Sequence, residues 1–561
     1  MKAIREAIRG ALSHVRHRTN HATRFASRFT RITRYGLDLM LWSRLFDRRL
    51  DAVPIELART LLSKKHLGHV APTLHVADAS GKLAVWEEGF AGVYATLLLN
   101  LNNPDTLSPV RYAHPAPSFR GVYLWDSAFI ARVWQAWDPA VARDVTQAVL
   151  DLRDGDRLQH VVAEFTESVY TQPPVLAWAI AQIAHASRPL DRELLAQAYD
   201  TLVAYQGWLA ENRRLPSGLY AWAHPYESGI DNSPRFSNVD ESRFADTTVL
   251  AAPDFSSYVV LQLESLGQIA GLLGREEADA HLAEADTLRA AINESLWCDR
   301  AGLYFDRHEV TGEFVRRRTI ASLLPLWAGV PDAARAQRLR DHALDPASFG
   351  TPIPLPSVAR DDPTFVKDMW CGPVWLNTAY AVVEGLARYG FYEAAGELAY
   401  RLCDGVFKTF EQERRFFEFY DPDHRGIEDL QRKRGNRWKH LTLGAKPVGE
   451  FIGWTGLVNT LVVNVLVGLR HEGGRRTLRP LLPPELDGVG LSVRLPAEEL
   501  AVTVERHGDR ILATIRTPGG VARREAALGQ PIDIDPAPPG RPAAGANGAT
   551  HGDPHRSEAL R

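Results

Sequence analysis

Between about residues 85 and 470, apolar residues recur three, four and seven positions apart, which is the spacing of amphipathic helices. Leu261, Leu266 and Ile269 belong to one such stripe. Short connectors join these segments in pairs, so the pattern predicts a mainly α protein whose paired helices form a toroid. The predicted helices are 127–137, 174–187, 191–212, 255–272, 275–296, 331–343, 373–389, 391–408 and 454–469.

Two stretches alternate apolar and polar residues instead, which is the period of β-strands. Residues 302–315 alternate around a Thr-Gly turn and predict a hairpin inside the helical region. Residues 500–515 predict two strands around a His-Gly-Asp turn, and therefore a small β module at 474–530 after the helices. The segment 531–561 is rich in Pro, Ala and Gly and is predicted to be disordered.

The first 40 residues are basic, with nine Lys or Arg and one acid, Glu6, between positions 2 and 34. Their apolar residues fall on one helical face, which is compatible with a surface-binding or targeting helix. The segment lacks the uninterrupted apolar core of a secretory signal, and chain termini are often unstructured. We therefore expect 1–40 to be a loosely ordered extension and 41–473 to form the helical domain.

The composition is typical of a soluble globular protein, with 45% apolar and 24% charged residues in a chain of 561. A net charge of −3 argues against a nucleic-acid partner, and no apolar run reaches the roughly 18 residues of a membrane span. Three widely spaced cysteines (Cys298, Cys371 and Cys403) provide neither a disulfide framework nor a paired-cysteine metal site. They indicate a reducing compartment, and we expect a cytoplasmic location.

The stretch 224–236, HPYESGIDNSPRF, cannot form a helix interior, because its Gly, Asn and Pro residues favour turns. Its carboxylates Glu227 and Asp231 lie four positions apart. A loop at the end of a toroid can face a pocket, where Tyr226 would shield Asp231 and partial burial would favour the proton-donating form. The alternative is that Asp231 caps a turn through its own backbone.

A second acidic stretch, RRFFEFYDPDHRG at 414–426, surrounds Glu418 with aromatic residues. A buried carboxylate is costly unless it has partners or a chemical task. Asp421 and Asp423 lie beside Pro and Gly and are typical of a turn, with a weak calcium site as the alternative. The chain contains no dinucleotide, phosphate-loop, zinc-protease or nucleophilic-serine motif, so we predict neither a cofactor nor a metal.

Three further stretches mix polar and aromatic residues as sugar pockets do: YLWDSAF at 123–129, TQPPVLAW at 171–178 and DMWCGPVW at 368–375. Asp126 follows Trp125 at a predicted helix start, where an N-cap is the structural alternative. Gln172 precedes two prolines at another helix start, which leaves its amide able to face a cavity. His160 is a weaker candidate, because a lone histidine is more often structural.

Together, and in this order, these motifs resemble the inverting α-glycosidases with an (α/α)6 barrel, namely glycoside hydrolase family 63 and its mannosylglycerate/glucosylglycerate hydrolase branch. The resemblance spans about residues 85–470, and ESGIDNSPRF and YLWDSAF are its most specific parts. Trehalases and glucan-debranching glucosidases are more distant. The resemblance implies an (α/α)6 toroid with a small C-terminal β module, a small carbohydrate as substrate and no cofactor.

The resemblance also implies that Asp231 is the general acid and Glu418 the general base. The residues that would bind or border the sugar are Tyr123, Trp125, Asp126, His160, Gln172, Tyr226, Trp370 and Trp454. In an inverting enzyme the base activates a water on the face opposite the acid, which places the two carboxyl groups ~6.5–9.5 Å apart. The base must be ionised, so we expect hydrogen-bond donors or solvent at Glu418.

Two positions depart from the family, because Cys371 stands where an Arg is common and Met369 where an aromatic is common. Loss of the guanidinium fork implies a different sugar or aglycone contact. Two alternatives stay open: a phosphorylase or isomerase on the same barrel, for which Arg414 and Arg415 near Glu418 are candidate cations, and a non-catalytic barrel that binds a saccharide or a protein. The residues do not distinguish glucose from mannose or define the oligomeric state.

Overall fold

The computed structural model describes residues 67–163, 167–236, 247–432, 444–472 and 474–535. The predicted basic extension and almost all of the predicted disordered tail lie outside the described residues. In the described part of the chain, no helix combines the length and the apolar character that crossing a membrane requires.

Helices are the predominant regular structure of the described chain, and nine of them lie within a few residues of their predicted bounds. The helices are α1 Val85–Asn100, α2 Leu124–Trp137, α3 Pro139–Asp151, α4 Leu176–Ala186, α5 Arg192–Asn212, α6 Pro253–Leu273, α7 Ala278–Ser295, α8 Ala333–Leu344, α9 Leu376–Arg388, α10 Tyr392–Glu413 and α11 Leu457–Thr460, which continues as a π-helical turn over Leu461–Leu466. The sequence pattern did not predict α1 and α3. For α3 a start signal exists, since Asp138 precedes Pro139 and its Oδ1 accepts a hydrogen bond from the Ala140 N–H at 3.0 Å.

Six inner elements close a ring. Helix α2 packs against α4, α4 against α6, α6 against the 3-10 turn Leu324–Leu326, that turn against α9, α9 against α11, and α11 against α2. The following helices α3, α5, α7, α8 and α10 lie outside the ring, and α1 packs against α10. The predicted (α/α)6 toroid is therefore confirmed, although its fourth inner position is occupied by short 3-10 turns rather than by a long helix.

Burial distinguishes inner from outer helices. Every residue of α2 except Ala136 is buried, including the polar Asp126 and Gln135. The outer helix α7 buries only Ala285, Leu288 and Ile292, which lie three and four positions apart on one face. The outer helix α7 therefore buries a single face, whereas the inner helix α2 is surrounded by protein on all sides.

The connectors at the two ends of the toroid differ in length. At one end they are short, since Asp138 alone separates α2 from α3 and residues 389–391 separate α9 from α10. At the other end, long connectors lead into the first turns of the inner helices; they are 101–123, 152–175, 213–252, 345–375 and 414–456. The acidic and the polar-aromatic motifs described above all lie in these long connectors or at the start of the helix that follows, so the toroid gathers them at one end.

Short strands within these connectors and a C-terminal sheet complete the fold. The strands are β1 Thr73–Ala77, β2 Leu101–Asn102, β3 Tyr112–Ala113, β4 Val122–Tyr123, β5 Val161–Val162, β6 Leu250–Ala251, β7 Trp297–Cys298, β8 Leu303–Tyr304, β9 Asp306–His308, β10 Phe314–Val315, β11 Leu469–Glu472, β12 Arg475–Leu478, β13 Gly490–Leu495, β14 Leu500–His507, β15 Arg510–Thr517, β16 Gly520–Ala527 and β17 Ile532–Asp533. The predicted hairpin inside the helical region is confirmed, because β9 and β10 pair antiparallel with Arg307 opposite Phe314.

The largest sheet is antiparallel, with strand order β1-β13-β14-β15-β16. The predicted pair of strands around the His-Gly-Asp turn is confirmed as β14 and β15. Strand β1 precedes the toroid in the chain and nevertheless pairs with β13, with Thr73 opposite Arg494. This long-range pairing ties the sheet to the start of the helical region and was not predicted.

Gly396 in α10 lies where the toroid meets the segment that leads to the sheet. A Cβ at Gly396 would come within 2.3 Å of the Leu481 carbonyl oxygen, a backbone atom that cannot rotate away. We expect Gly396→Ala to lower the free energy of unfolding by about 1–3 kcal/mol. The matched control Gly271→Ala, in α6, meets nothing within 4 Å and should raise stability by about 0.5–1 kcal/mol. Urea denaturation followed by circular dichroism measures both, and equal effects would contradict the close packing at Gly396.

Candidate active site

Trp125 lies at the centre of the predicted site, in the first turn of α2. Its backbone N–H, which has no partner within the helix, donates to Gln172 Oε1 at 3.1 Å. The Trp125 ring lies 6.3 Å from the ring of Trp370 and 5.5 Å from that of Trp454. Helix α2 and three connectors are therefore brought together around Trp125, with Trp370 and Trp454 completing an aromatic cluster.

Two glycines allow the neighbouring connectors to close on this turn. Gly229 adopts a φ of +72°, and a Cβ there would lie 2.5 Å from the Trp125 ring. A Cβ at Gly453 would lie 2.3 Å from Asp126 Oδ1. Any larger residue at either position would push its connector away from the site.

Asp126 is buried beside this cluster and is not the N-cap of α2, since Tyr123 occupies that position. Burial raises the pKa of Asp126 from its ordinary 3.8 to about 8. Its charge, when present, also acts on the hydroxyl groups of Tyr123 and Tyr226, whose pKa values burial raises far above the ordinary value of 10. Asp126 is therefore protonated over much of the neutral range and can donate as well as accept a hydrogen bond.

His160 connects the Gln172 side chain to the loop that carries Asp231. Its ring stacks on Tyr226 with centroids 4.2 Å apart and planes 8° apart. Its Nε2 lies 3.0 Å from Gln172 Nε2, which donates because an amide nitrogen cannot accept. Strands β4 and β5 set Tyr123 opposite Val161, which places the Tyr123 ring 6.1 Å from that of His160.

The Asp231 loop is anchored to the connector that contains Trp370. Asn232 Oδ1 accepts from the Trp370 backbone N–H at 3.0 Å, and the Cys371 thiol donates to the Asn232 carbonyl oxygen at 3.0 Å. Burial, helped by the charge of Asp368, raises the pKa of Cys371 to about 12, so it is a neutral thiol. Cys371 therefore acts on the loop through its hydrogen bond and supplies no charge. Asp231 itself is half-buried.

Glu418 is buried, with its backbone carbonyl accepting a hydrogen bond from Trp454 Nε1 at 2.6 Å. Its carboxylate pairs with Arg432 Nη2 and also accepts from the Val448 backbone N–H at 3.3 Å. The expectation of hydrogen-bond donors at Glu418 is confirmed. The sequence analysis did not identify Arg432, because no motif distinguishes it among the neighbouring basic residues at 432–434.

Arg432 also lies within electrostatic range of the other proposed catalytic acid. Burial lowers the pKa of Arg432 from its ordinary 12.5 to about 10, against which the negative charges of Asp231 and Asp368 act. Arg432 is therefore cationic at neutral pH. The one guanidinium contacts Glu418 and interacts with the charge of Asp231, although the two acids come from different connectors.

Glu227 belongs to the same motif as Asp231, but its surroundings indicate a structural role. It is fully buried, and its oxygens accept from the Thr171 and Ala223 N–H groups at 3.1 and 2.8 Å. Arg213 forms two further hydrogen bonds to it, at 2.8 and 2.9 Å. Glu227 thus links its loop to the neighbouring connector and has its acceptor capacity occupied.

The acidic residues that follow Glu418 form the predicted turn, since Asp421 Oδ1 accepts from the Asp423 N–H at 2.8 Å. Asp421, His424 and Asp429 have the spacing of metal ligands. However, the Lys367 ammonium lies 2.9 Å from Asp421 and 3.2 Å from Asp429, so a cation of the chain itself neutralises the cluster.

The cations considered for a phosphorylase have other partners. Arg414 pairs with Glu88, and Arg415 pairs with Glu450 at 3.0 Å. In the described part of the chain both guanidinium groups thus pair with acids other than Glu418, which weakens the case for a phosphate site there.

A buried ion cluster fixes the distal end of the Asp231 loop. Arg235 is fully buried and donates to both oxygens of Asp254 at 2.9 and 2.6 Å, and to Asp306 at 3.2 Å. Trp222 Nε1 donates to the same Asp254 at 3.2 Å. Burial raises the pKa of Asp306 to about 6 despite the Arg235 charge. The cluster binds the loop to the first turn of α6.

Comparisons with known proteins identify the same region. A family model described as the mannosylglycerate hydrolase MGH1-like glycoside hydrolase domain matches residues 120–435, more than half of the chain. The mannosylglycerate hydrolase of Thermus thermophilus is 29% identical over 375 residues, covering 54% of this chain and 88% of the relative. That of Rubrobacter radiotolerans is 28% identical over 312 residues, covering 45% and 68%.

The fold has solved counterparts. The crystal structure of a GH63 mannosylglycerate hydrolase from Thermus thermophilus, in complex with Tris and D-glycerate, matches with a TM-score of 0.56 at 23% identity. The match covers 67% of this chain and 100% of that chain. At this identity the likeness establishes the fold alone, and it agrees with the closed ring of inner elements.

Removing Arg235 should be far more costly than removing an exposed arginine. Arg235→Gln leaves Asp254 and Asp306 buried without a counter-charge, which should lower the free energy of unfolding by about 3–5 kcal/mol and release the Asp231 loop. The control Arg275→Gln removes a partly exposed pair with Asp200 and should cost about 0–1 kcal/mol. Chemical denaturation compares the two, and similar losses would contradict the structural role of the cluster.

Asp126→Asn tests the raised pKa of Asp126. Its pKa rises on folding from 3.8 to about 8, so its contribution to stability is complete below about pH 4 and is lost as the pH rises towards 8. Asn does not titrate, so the melting temperature of the variant relative to wild type should increase between pH 4.5 and 8. Asp509→Asn, at an exposed turn position, serves as the control and should show no such trend. A pH-independent difference for Asp126→Asn would refute the assignment.

Proposed function

The chain is a glycoside hydrolase of the mannosylglycerate hydrolase MGH1-like family, and we propose that it cleaves the α-glycosidic bond of a small mannoside or glucoside with inversion of configuration. The catalytic pair in this proposal is Asp231 as general acid and Glu418 as general base. The sugar would occupy the space bordered by the aromatic cluster around Trp125.

The convergence of two acids from separate connectors on one arginine is the observation that carries this proposal. Glu418 pairs with Arg432, and the charge of Asp231 acts on the same Arg432. Their surroundings also differ as two complementary roles require. Glu418 is buried against a cation, which favours the ionised form of a base, whereas Asp231 is half-buried.

Inversion follows from an attack on the face opposite the leaving group. Asp231 would give its proton to the glycosidic oxygen as the bond from the anomeric carbon to that oxygen breaks. Glu418 would take a proton from a water whose oxygen bonds to the same carbon from the other side. At the end of the reaction Asp231 is ionised and Glu418 protonated, and exchange of protons with solvent restores both.

The remaining predicted residues would bind the sugar through its hydroxyl groups and its apolar face. Asp126 and Gln172 offer hydrogen-bonding groups, and Trp125, Trp370 and Tyr226 offer aromatic surfaces. The relatives named mannosylglycerate hydrolase make mannosylglycerate and glucosylglycerate the first substrates to test. A neutral Cys371 thiol next to Trp370 gives this chain a contact that differs from a cationic one.

Hydrolysis by the purified protein tests the reaction directly. We expect release of free sugar from at least one of mannosylglycerate, glucosylglycerate, trehalose, kojibiose, nigerose and isomaltose, without a requirement for phosphate. With mannosylglycerate or glucosylglycerate, whose leaving group is not a sugar, proton NMR of the fresh product should show the β anomer first, because inversion of an α-glycoside produces it. Initial release of the α anomer would contradict the mechanism.

The two catalytic assignments can be tested separately. Asp231→Asn and Glu418→Gln should each reduce kcat by about 10²–10⁴-fold on the cleaved substrate, because each removes one proton-transfer step. Asp429→Asn is a matched control, since Asp429 is an exposed acid of the same connector as Glu418 and should keep near-wild-type turnover. Near-wild-type turnover by either catalytic variant would disprove the role assigned to that residue.

A further inference from the structure

Arg432 and Glu418 form a pair in which both partners are almost completely buried, with 2% and 3% of their side chains exposed. The Glu418 carboxylate accepts hydrogen bonds from Arg432 Nη2 and from the Val448 N–H, and both end on the same oxygen, Oε1. In the part of the chain that the structure describes, no donor is bonded to Oε2. Within the described residues the two carboxylate oxygens are therefore inequivalent, because Oε1 is bound to two donors of the protein and Oε2 to none.

The backbone around Arg432 is held in place by its neighbours. The Arg432 N–H donates to the Ala445 carbonyl at 2.9 Å, and the adjacent Gln431 exchanges backbone hydrogen bonds with Lys367 at 2.8 Å and Met369 at 3.1 Å. The guanidinium carbon lies 5.6 Å from the centre of the Phe119 ring, which covers it. These contacts hold the long Arg432 side chain in one conformation. Ordering such a side chain costs considerable rotamer entropy.

Acids from three connectors surround the guanidinium. Glu418 contacts it directly, and the charges of Asp231 and Asp368 both act on it. Asp231 also acts on Tyr226, together with Asp126, so these groups share one electrostatic environment. A change in the Arg432 charge must therefore alter the electrostatic environment of both proposed catalytic acids.

Resting on the proposed function, we infer that Arg432 is a positioning residue that presents Glu418 Oε2 to the attacking water and sets the pH range of the reaction through its charge on both Glu418 and Asp231. The bond to Oε1 fixes the rotation of the carboxylate. The positive charge favours the ionised form of each acid, which helps the base and opposes protonation of the acid.

The sign of the pH effect follows from these roles. Activity falls at low pH when the base gains a proton and at high pH when the acid loses one. Removing the cation makes both carboxyl groups hold their protons to higher pH. Both limits of the profile should therefore move upward together, which a merely structural defect would not produce.

The variants Arg432→Gln and Arg432→Lys distinguish the effect of the Arg432 charge from the effect of its hydrogen-bonding geometry. For Arg432→Gln we expect the low-pH limit of the kcat/KM profile, set by Glu418, to rise by about 1–3 pH units, the size of effect that an adjacent opposite charge has on a carboxyl group, and the high-pH limit, set by Asp231, to rise as well. Arg432→Lys keeps the charge but not the fork, so its limits should stay near those of wild type while kcat falls. Equal displacement of the limits in both variants, or no displacement in Arg432→Gln, would overturn the inference.

Arg415→Gln is the matched control, because Arg415 lies in the same connector as Glu418 but pairs with Glu450. Its pH limits should coincide with those of wild type. If they move as far as those of Arg432→Gln, the effect is not specific to Arg432.

A substrate-free measurement separates failure of this inference from failure of the proposed function. Carbon-13 NMR of protein labelled at glutamate carboxyl carbons follows the Glu418 titration, with Glu418→Gln used to assign its resonance. The titration midpoint should rise in Arg432→Gln and stay close to wild type in Arg432→Lys. An unchanged midpoint in Arg432→Gln refutes the electrostatic role, whether or not any glycoside is hydrolysed.

Discussion

The closed ring of buried inner helices is the constraint on which the rest of the structure depends. Because α2 and its ring neighbours are enclosed by protein, an unpaired polar group along their length would lose its hydration without compensation. Functional groups are therefore confined to the ends of the ring, and the short connectors at one end leave no room for them. The long connectors at the other end hold every motif, and each enters the ring through the first turn of an inner helix.

Burial of carboxyl groups at that end is compensated in several physically different ways. Glu227 is surrounded by backbone donors and an arginine and is structural, whereas Asp126 is accommodated by keeping its proton. Arg235 neutralises two acids at once and holds the loop that carries Asp231. Glu418 combines a cation with an oxygen that has no protein donor in the described chain, and this combination suits a base that must stay ionised and reach a water.

The secondary-structure elements that the sequence predicted correctly are those that local signals specify. Amphipathic spacing and turn residues predicted nine helices, the β9–β10 hairpin and the β14–β15 pair, because each depends on contacts between residues near one another in the chain. The pairing of β1 with β13 and the 3-10 turns at the fourth inner position depend on contacts across the whole ring. No periodicity within a short segment records such contacts.

The sequence by itself determined the class of fold, since helix spacing and turn chemistry are local properties. The order of its motifs, which supply Asp231, Glu418 and the aromatic residues, was enough to indicate the family by resemblance. Only the tertiary structure decided that Glu227 is structural and that Arg432 reaches Glu418 and the charge of Asp231. The physical reason is that a charge acts through space. Which groups a charge interacts with depends on where the connectors meet in the folded protein. Nothing in the local sequence distinguishes Arg432 from the other basic residues of its segment.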